Sequence, residues 1–109
     1  MEIAPGLFTT NANAEGWEPD EEIGGEVLVL CEGVGVDAGM WRVREPLPAP
    51  LVYTTPGRET IVVLEGSLRI EIEGSPTLDL KPGDLASIPA GAKTTWHVTP
   101  PFLECWLMA

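Results

Sequence analysis

Turn signals built from glycine and proline recur along the whole chain, commonly about ten residues apart, and leave no room for long helices. Ala4-Pro5-Gly6, Ile23-Gly24-Gly25, Asp37-Ala38-Gly39, Pro46 to Pro50 and Thr55-Pro56-Gly57 punctuate the first half. Glu65-Gly66-Ser67, Glu73-Gly74-Ser75-Pro76, Lys81-Pro82-Gly83-Asp84, Pro89-Ala90-Gly91 and Thr99-Pro100-Pro101 punctuate the second. Short runs of β-formers lie between them. Leu68, Ile70 and Ile72 alternate with Arg69, Glu71 and Glu73, the period of a strand with one face buried. Met40 to Arg44 alternates in the same way. Glu26 to Cys31 is almost continuously apolar, as expected of a strand covered on both faces, and Phe102 to Met108 reads as a closing strand. No stretch keeps a 3.6-residue period over three turns. The pattern predicts an all-β sandwich or barrel.

The chain has 109 residues, enough for one domain. Its hydrophobic content of 44% argues against global disorder. Six basic residues against 17 acidic ones give a net charge of −11, and the first basic residue is Arg42. Such a surface repels phosphate, so a nucleic-acid partner is not expected, and neither is an anionic membrane. The start, Met1-Glu2-Ile3-Ala4-Pro5, has neither the basic nor the apolar region of a signal peptide. The longest apolar runs fall far short of the ~20 residues that span a bilayer. Cys31 and Cys105 have no CxxC spacing and sit in apolar segments, as free thiols in a reducing cytosol do. These features predict a soluble, acidic, cytoplasmic domain.

The second half carries an ordered pair of motifs. Glu59 is followed by six residues and Gly66; further on come Gly83-Asp84, five residues between Gly83 and Pro89, and then Pro89-Ala90-Gly91. This pair resembles the two signature motifs of the cupin superfamily, over roughly Tyr53 to Thr94. The resemblance implies a cupin-type double-stranded β-barrel, or jelly roll, in one domain. Residues 25–109 are expected to form the barrel, with residues 1–24 an irregular lead-in packed on it and Trp17 as its anchor. Gly66 and Gly83 are read as tight reversals between strands, and Asp84 as bonding the backbone of its own turn.

Cupin chemistry usually resides in a metal site, and here the chain departs from the pattern. The family's first motif carries two histidines shortly before the glutamate; this chain has Val52-Tyr53-Thr54-Thr55-Pro56-Gly57-Arg58. Thr94 stands where the second motif carries a histidine. Of four implied ligands only Glu59 remains, and Thr and Tyr hydroxyls are poor ligands for a divalent transition metal. Neither a standard metal site nor another cofactor is expected. The departure is similar to small cupins related to ethanolamine-utilisation and ureidoglycine aminohydrolase-type proteins, a branch of varied activity in which the fold does not fix the reaction.

The candidate residues follow from these positions. Glu59 is expected to point into the barrel near Ile61 and Val63. There it is either a functional acid with a raised pKa or a structural carboxylate satisfied by Tyr53, Thr55 or backbone amides. Tyr53 is its candidate partner in acid/base chemistry. Tyr53, Thr55, Thr94 and Trp96 are expected to line one mouth, and Trp41 and Trp96 offer flat surfaces to a small ligand, or else simply fill the core. Parity with an inward Thr94 and Trp96 turns His97, the only histidine, outward. Cys105 reads as an inert thiol, and a Glu59–Glu104 pair is conceivable.

Three functions compete. The first is a metal-independent cupin that holds a small polar metabolite through Trp41, Tyr53, Thr55, Glu59, Thr94 and Trp96. The second is a metal enzyme using Glu59, His97 and another carboxylate, which requires a bulge between Pro89 and Trp96. The third is a non-catalytic interaction or regulatory module with a filled barrel. A homodimer is expected, because cupins commonly pair through their sheets.

Overall fold

A computed structural model describes residues 1–109. The chain contains ten strands and no helix: β1 (Glu2–Ala4), β2 (Leu7–Phe8), β3 (Glu18–Pro19), β4 (Glu26–Cys31), β5 (Asp37–Val43), β6 (Leu51–Thr54), β7 (Glu59–Ile72), β8 (Leu78–Leu80), β9 (Leu85–Ile88) and β10 (Lys93–Met108). It therefore has no helix long and apolar enough to cross a membrane. The main sheet runs β3-β4-β5-β10-β7-β8, with β6 added on β10 and β9 on β7. All pairings are antiparallel. The fold is all-β, the cupin-type jelly roll the motifs imply.

Two long strands carry the architecture. β10 pairs with β7 along both halves of its length, with β6 at Lys93–Trp96 and with β5 at Phe102–Met108. Glu65-Gly66-Ser67 and Thr99-Pro100-Pro101, read from sequence as separate turns, lie inside these two strands and face one another. Thr99 pairs with Ser67 and Leu103 with Glu65, and the register shifts between them. Gly66, at φ +78°, is therefore a bend within β7 rather than a reversal between strands. The bend is possible because both strands yield at the same level, which folds one ladder into two facing sheets. Gly83, at φ +94°, is not at a reversal either: β8 and β9 both run antiparallel to β7 in the same sense, and Gly83 lies in the tight Lys81–Asp84 turn that offsets one from the other, its amide donating to the Val63 carbonyl at 2.8 Å. There Asp84 Oδ2 accepts the Lys81 amide at 2.9 Å.

The core lies between the facing sheets. Inward residues alternate along β7, with Glu59, Ile61 and Val63 before the bend and Leu68 and Ile70 after it. Trp41, Trp96 and Phe102 meet edge to face at centroid distances of 5.8–6.2 Å. β4 differs from its sequence pattern: only Leu28 is buried and Val29 is 38% exposed, so this strand is not covered on both faces within one chain. Residues 1–24 are more ordered than an irregular lead-in. They hold the β1–β2 hairpin and β3, which extends the sheet at β4. Trp17 anchors them, its ring 4.0 Å beneath the Arg42 guanidinium, which also pairs with Glu26 at 2.9 Å.

Candidate functional site

One end of the barrel opens into a cavity of about 470 Å³ beside Glu59. Three strands deliver its working groups. β7 begins with Glu59, and its strict alternation turns that carboxylate to the same side as Ile61 and Val63. β10 delivers Glu104, flanked on its neighbours by Trp41 and Val63. β6 delivers Tyr53, whose hydroxyl donates to Glu59 Oε1 at 2.7 Å.

Both carboxylates sit in poor surroundings for a charge. Burial pushes the Glu59 pKa up, and the Tyr53 hydrogen bond opposes that shift in part. Glu104 is 2% exposed, and its Oε1 has no hydrogen-bond partner. Burial, and then the neighbouring Glu59 charge, hold its carboxyl well above the usual range. Tyr53 is held in its neutral form by burial and by its bond to Glu59. Glu59 is therefore satisfied by Tyr53, but Glu104 is not satisfied by anything in the protein. Such an orphan costs about 1–3 kcal/mol, more when charged, so it needs an explanation beyond packing.

Of the residues expected at this mouth, Trp41, Tyr53, Glu59 and Trp96 do line the cavity. Thr55 and Thr94 do not, because their hydroxyls are spent on architecture. Thr55 Oγ1 donates to the Pro89 carbonyl at 2.6 Å and accepts the Ala92 amide at 2.9 Å, clasping the loop before β10. Thr94 Oγ1 donates to the Tyr53 carbonyl and accepts the Trp96 indole N–H at 2.8 Å, which fixes that ring. Trp41 is fixed likewise, donating to the Gly24 carbonyl at 2.9 Å.

His97 points outward and meets Glu71 at 3.1 Å. The Thr94–Thr99 register on β7 is unbroken, so the bulge that would turn His97 inward is absent. Cys105 faces away from the cavity's acids on the outer side of β10, and burial raises its pKa; it has no base to activate it.

Sequence reasoning missed most of the rim. Asp20, Glu22, Glu32 and Asp37 bring further carboxylates, and Trp106 and Met108 complete the β10 wall. The β10 wall was readable, since Glu104, Trp106 and Met108 share the parity of buried Phe102. The acids of loops and short strands carry no such signal.

The metal centre common in cupins does not fit these donors. Tyr53, Thr55 and Thr94 replace the imidazoles, and no three His, Cys, Asp or Glu side chains are grouped to hold an ion.

A two-motif jelly roll with its acidic and aromatic groups at one open end is a cupin barrel. The chain belongs to the EutQ-like cupin domain family, whose model matches residues 35–103. Its backbone is similar to that of a putative ethanolamine utilization protein Q from Salmonella typhimurium LT2, with a TM-score of 0.80 and 21% identity over 99% of this chain and 89% of the other. A cupin-like protein from Thermotoga maritima MSB8 superposes with a TM-score of 0.70 and 17% identity, over 92% of this chain and 81% of that one. The Clostridium difficile EutQ protein gives 0.61 and 22%, over 81% and 63%. At these identities the likeness is one of fold. No curated protein sequence matches this chain.

Proposed function

We propose that this protein is a small-molecule-binding cupin that holds a polar metabolite at the open end of the barrel, with no metal in its usual place. The observation that carries this reading is Glu104, whose Oε1 is buried and orphaned, on the wall of a cavity of about 470 Å³, a volume ordinary for a ligand pocket. A filled barrel serving only as an interaction module has no use for a buried, unsatisfied acid beside an opening. Glu59 is the second ligand-holding group and Tyr53 orients it. The same Tyr53–Glu59 pair, with its raised Glu59 pKa, is suited to proton transfer at a bound molecule.

The test is a thermal-shift screen of small metabolites on the wild-type protein and Glu59→Gln. Hits are expected to lose at least tenfold in affinity in Glu59→Gln, whose unliganded melting temperature stays within a few degrees of wild type. Tyr53→Phe is expected to weaken the same hits about three- to tenfold, the ~1 kcal/mol of one hydrogen bond. Hits unaffected by either change would place binding elsewhere.

We further propose that the protein works as a homodimer in the cytoplasm. The outer sheet face carries an apolar groove of about 390 Å³ among Leu30, Met40, Val62, Leu85, Cys105 and Leu107. No charged side chain lines it, so on a chain of net charge −11 it is where two copies repel least. β4 also has the continuous apolar pattern of a doubly covered strand, and a second copy supplies the missing cover. Light scattering after gel filtration is expected to give twice the chain mass, and Leu107→Glu to give one.

A further inference from the structure

We propose that the ligand of this cavity is a small organic cation, a protonated amine held by the Glu104 and Glu59 carboxylates with its carbon skeleton against the Trp41, Trp96 and Trp106 rings. This names the ligand class within the binding reading above and rests on it.

Three features of the lining select that class. First, its charged groups are all acids: Asp20, Glu22, Glu32, Asp37, Glu59 and Glu104, with no Lys, Arg or His among the residues of the wall. A carboxylate or phosphate ligand would meet only repulsion there. The net charge of −11 adds a field that draws cations to the opening.

Second, the cavity is poor in side-chain donors. Apart from whichever carboxyl is protonated, four lining side chains carry an N–H or O–H: Trp41, Tyr53, Trp96 and Trp106. Three of these donate within the protein, to the Gly24 carbonyl, to Glu59 and to Thr94. The groups left over are acceptors, above all Glu104, a residue of the cavity wall whose Oε1 is buried and unpartnered. A complementary ligand must bring the donors, and an ammonium brings up to three with a positive charge.

Third, the walls are aromatic. Trp41 and Trp96 cross at 84° with centroids 6.2 Å apart, and Tyr53 stands edge to face on Trp96 at 6.0 Å. Rings set at right angles in a cavity that also holds the Glu59 and Glu104 carboxyl groups favour a cation with an apolar body over a fully hydrated ion. The neutralising charge also removes the penalty on Glu104, because it supplies the partner that the protein withholds.

The experiment compares matched skeletons. Butylamine and benzylamine are titrated against 1-butanol, benzyl alcohol, butyrate and benzoate, with magnesium and zinc chloride as inorganic cations. Tryptophan fluorescence is the readout, since three of the four tryptophans line the cavity. Benzylamine is expected to bind saturably and at least tenfold tighter than benzyl alcohol, with benzoate weaker still. Glu104→Gln and Glu59→Gln are each expected to weaken benzylamine tenfold or more while leaving the fluorescence of the free protein folded in form.

An alcohol or a carboxylate that binds tighter than its amine, and loses affinity in Glu59→Gln, would overturn the amine and keep the pocket. Tighter binding of magnesium or zinc, lost in both variants, would overturn the amine in favour of an inorganic cation. Amine binding that neither substitution weakens would overturn the assignment to this cavity. Silence of the whole panel, together with silence in the metabolite screen, would overturn both the amine and the binding function.

Discussion

Glu104→Gln is expected to stabilise the unliganded protein at pH 7–8, an unusual result for a buried residue. Glu104 is 2% exposed, has an unpartnered oxygen, and has only acidic or neutral neighbours in Glu59, Tyr53 and Cys105. Its folded pKa lies well above the ordinary carboxylate value of 4.5. The folded state therefore binds more protons than the unfolded chain once the pH exceeds that value. The stability contributed by the protonated acid is complete below the unfolded pKa and is lost as the pH rises toward the folded one. Glu59, raised for the same first reason, adds to the slope with the same sign.

Glutamine keeps the shape without the charge. A gain of about 1–2 kcal/mol at pH 8 follows, or roughly 4–12 °C in melting temperature for a domain of this size. At pH 5 the gain should shrink toward zero. Thermal melts of both proteins between pH 5 and 8 check this, and a loss of stability across the whole range would overturn the description of Glu104 as an uncompensated acid. A residue whose removal strengthens the free protein but weakens its complex is kept for the complex.

The largest loss is expected from Gly66→Ala. Gly66 and Gly74 share nearly the same backbone, at φ +78° and +76°, so an added Cβ brings each the same left-handed penalty of about 1–2 kcal/mol. Gly74 has open space around it. A Cβ on Gly66 would instead press on the Pro101 carbonyl oxygen and would lie 2.8 Å from the Thr99 carbonyl oxygen and 3.0 Å from Phe102 Cα. All three are backbone of β10 at the point where the two long strands bend together, and they have no rotamer to give. Gly66→Ala is expected to cost about 4 kcal/mol or more, an exceptional figure for one methyl group, and Gly74→Ala no more than about 2. Urea titrations of the two variants side by side measure the difference. Equal costs would show that the bend can shift.

These two residues also mark how far the sequence could be read. Strand alternation, turn chemistry and the two motifs were enough for the jelly roll, for Glu59 inside it and for His97 outside. Gly66 was legible as a necessary glycine but not as a bend, because the event is shared with Thr99-Pro100-Pro101, some thirty residues away, and local rules read each break as its own turn. Thr55 and Thr94 were placed on the correct side of their strands, yet parity says nothing about which acceptor takes a hydroxyl, and both were consumed by backbone carbonyls. The acidic rim escaped for a simpler reason. Asp20 and Glu22 reach the cavity only through the turn that Gly24 ties to Trp41, a contact between segments with no common period.

β10 is the shared partner of β5, β6 and β7, and it comes last of the ten in chain order. Nearly every pairing that closes the barrel therefore spans a long stretch of chain, from Asp37 with Met108 to Lys93 with Thr54. Chain-entropy loss precedes the reward at each of these closures, and such topologies fold in milliseconds to seconds rather than microseconds. Until β10 docks, β5, β6 and β7 present unpaired edges to the solvent. During that interval the repulsion among so many carboxylates is an asset, since it keeps half-built copies from pairing with one another.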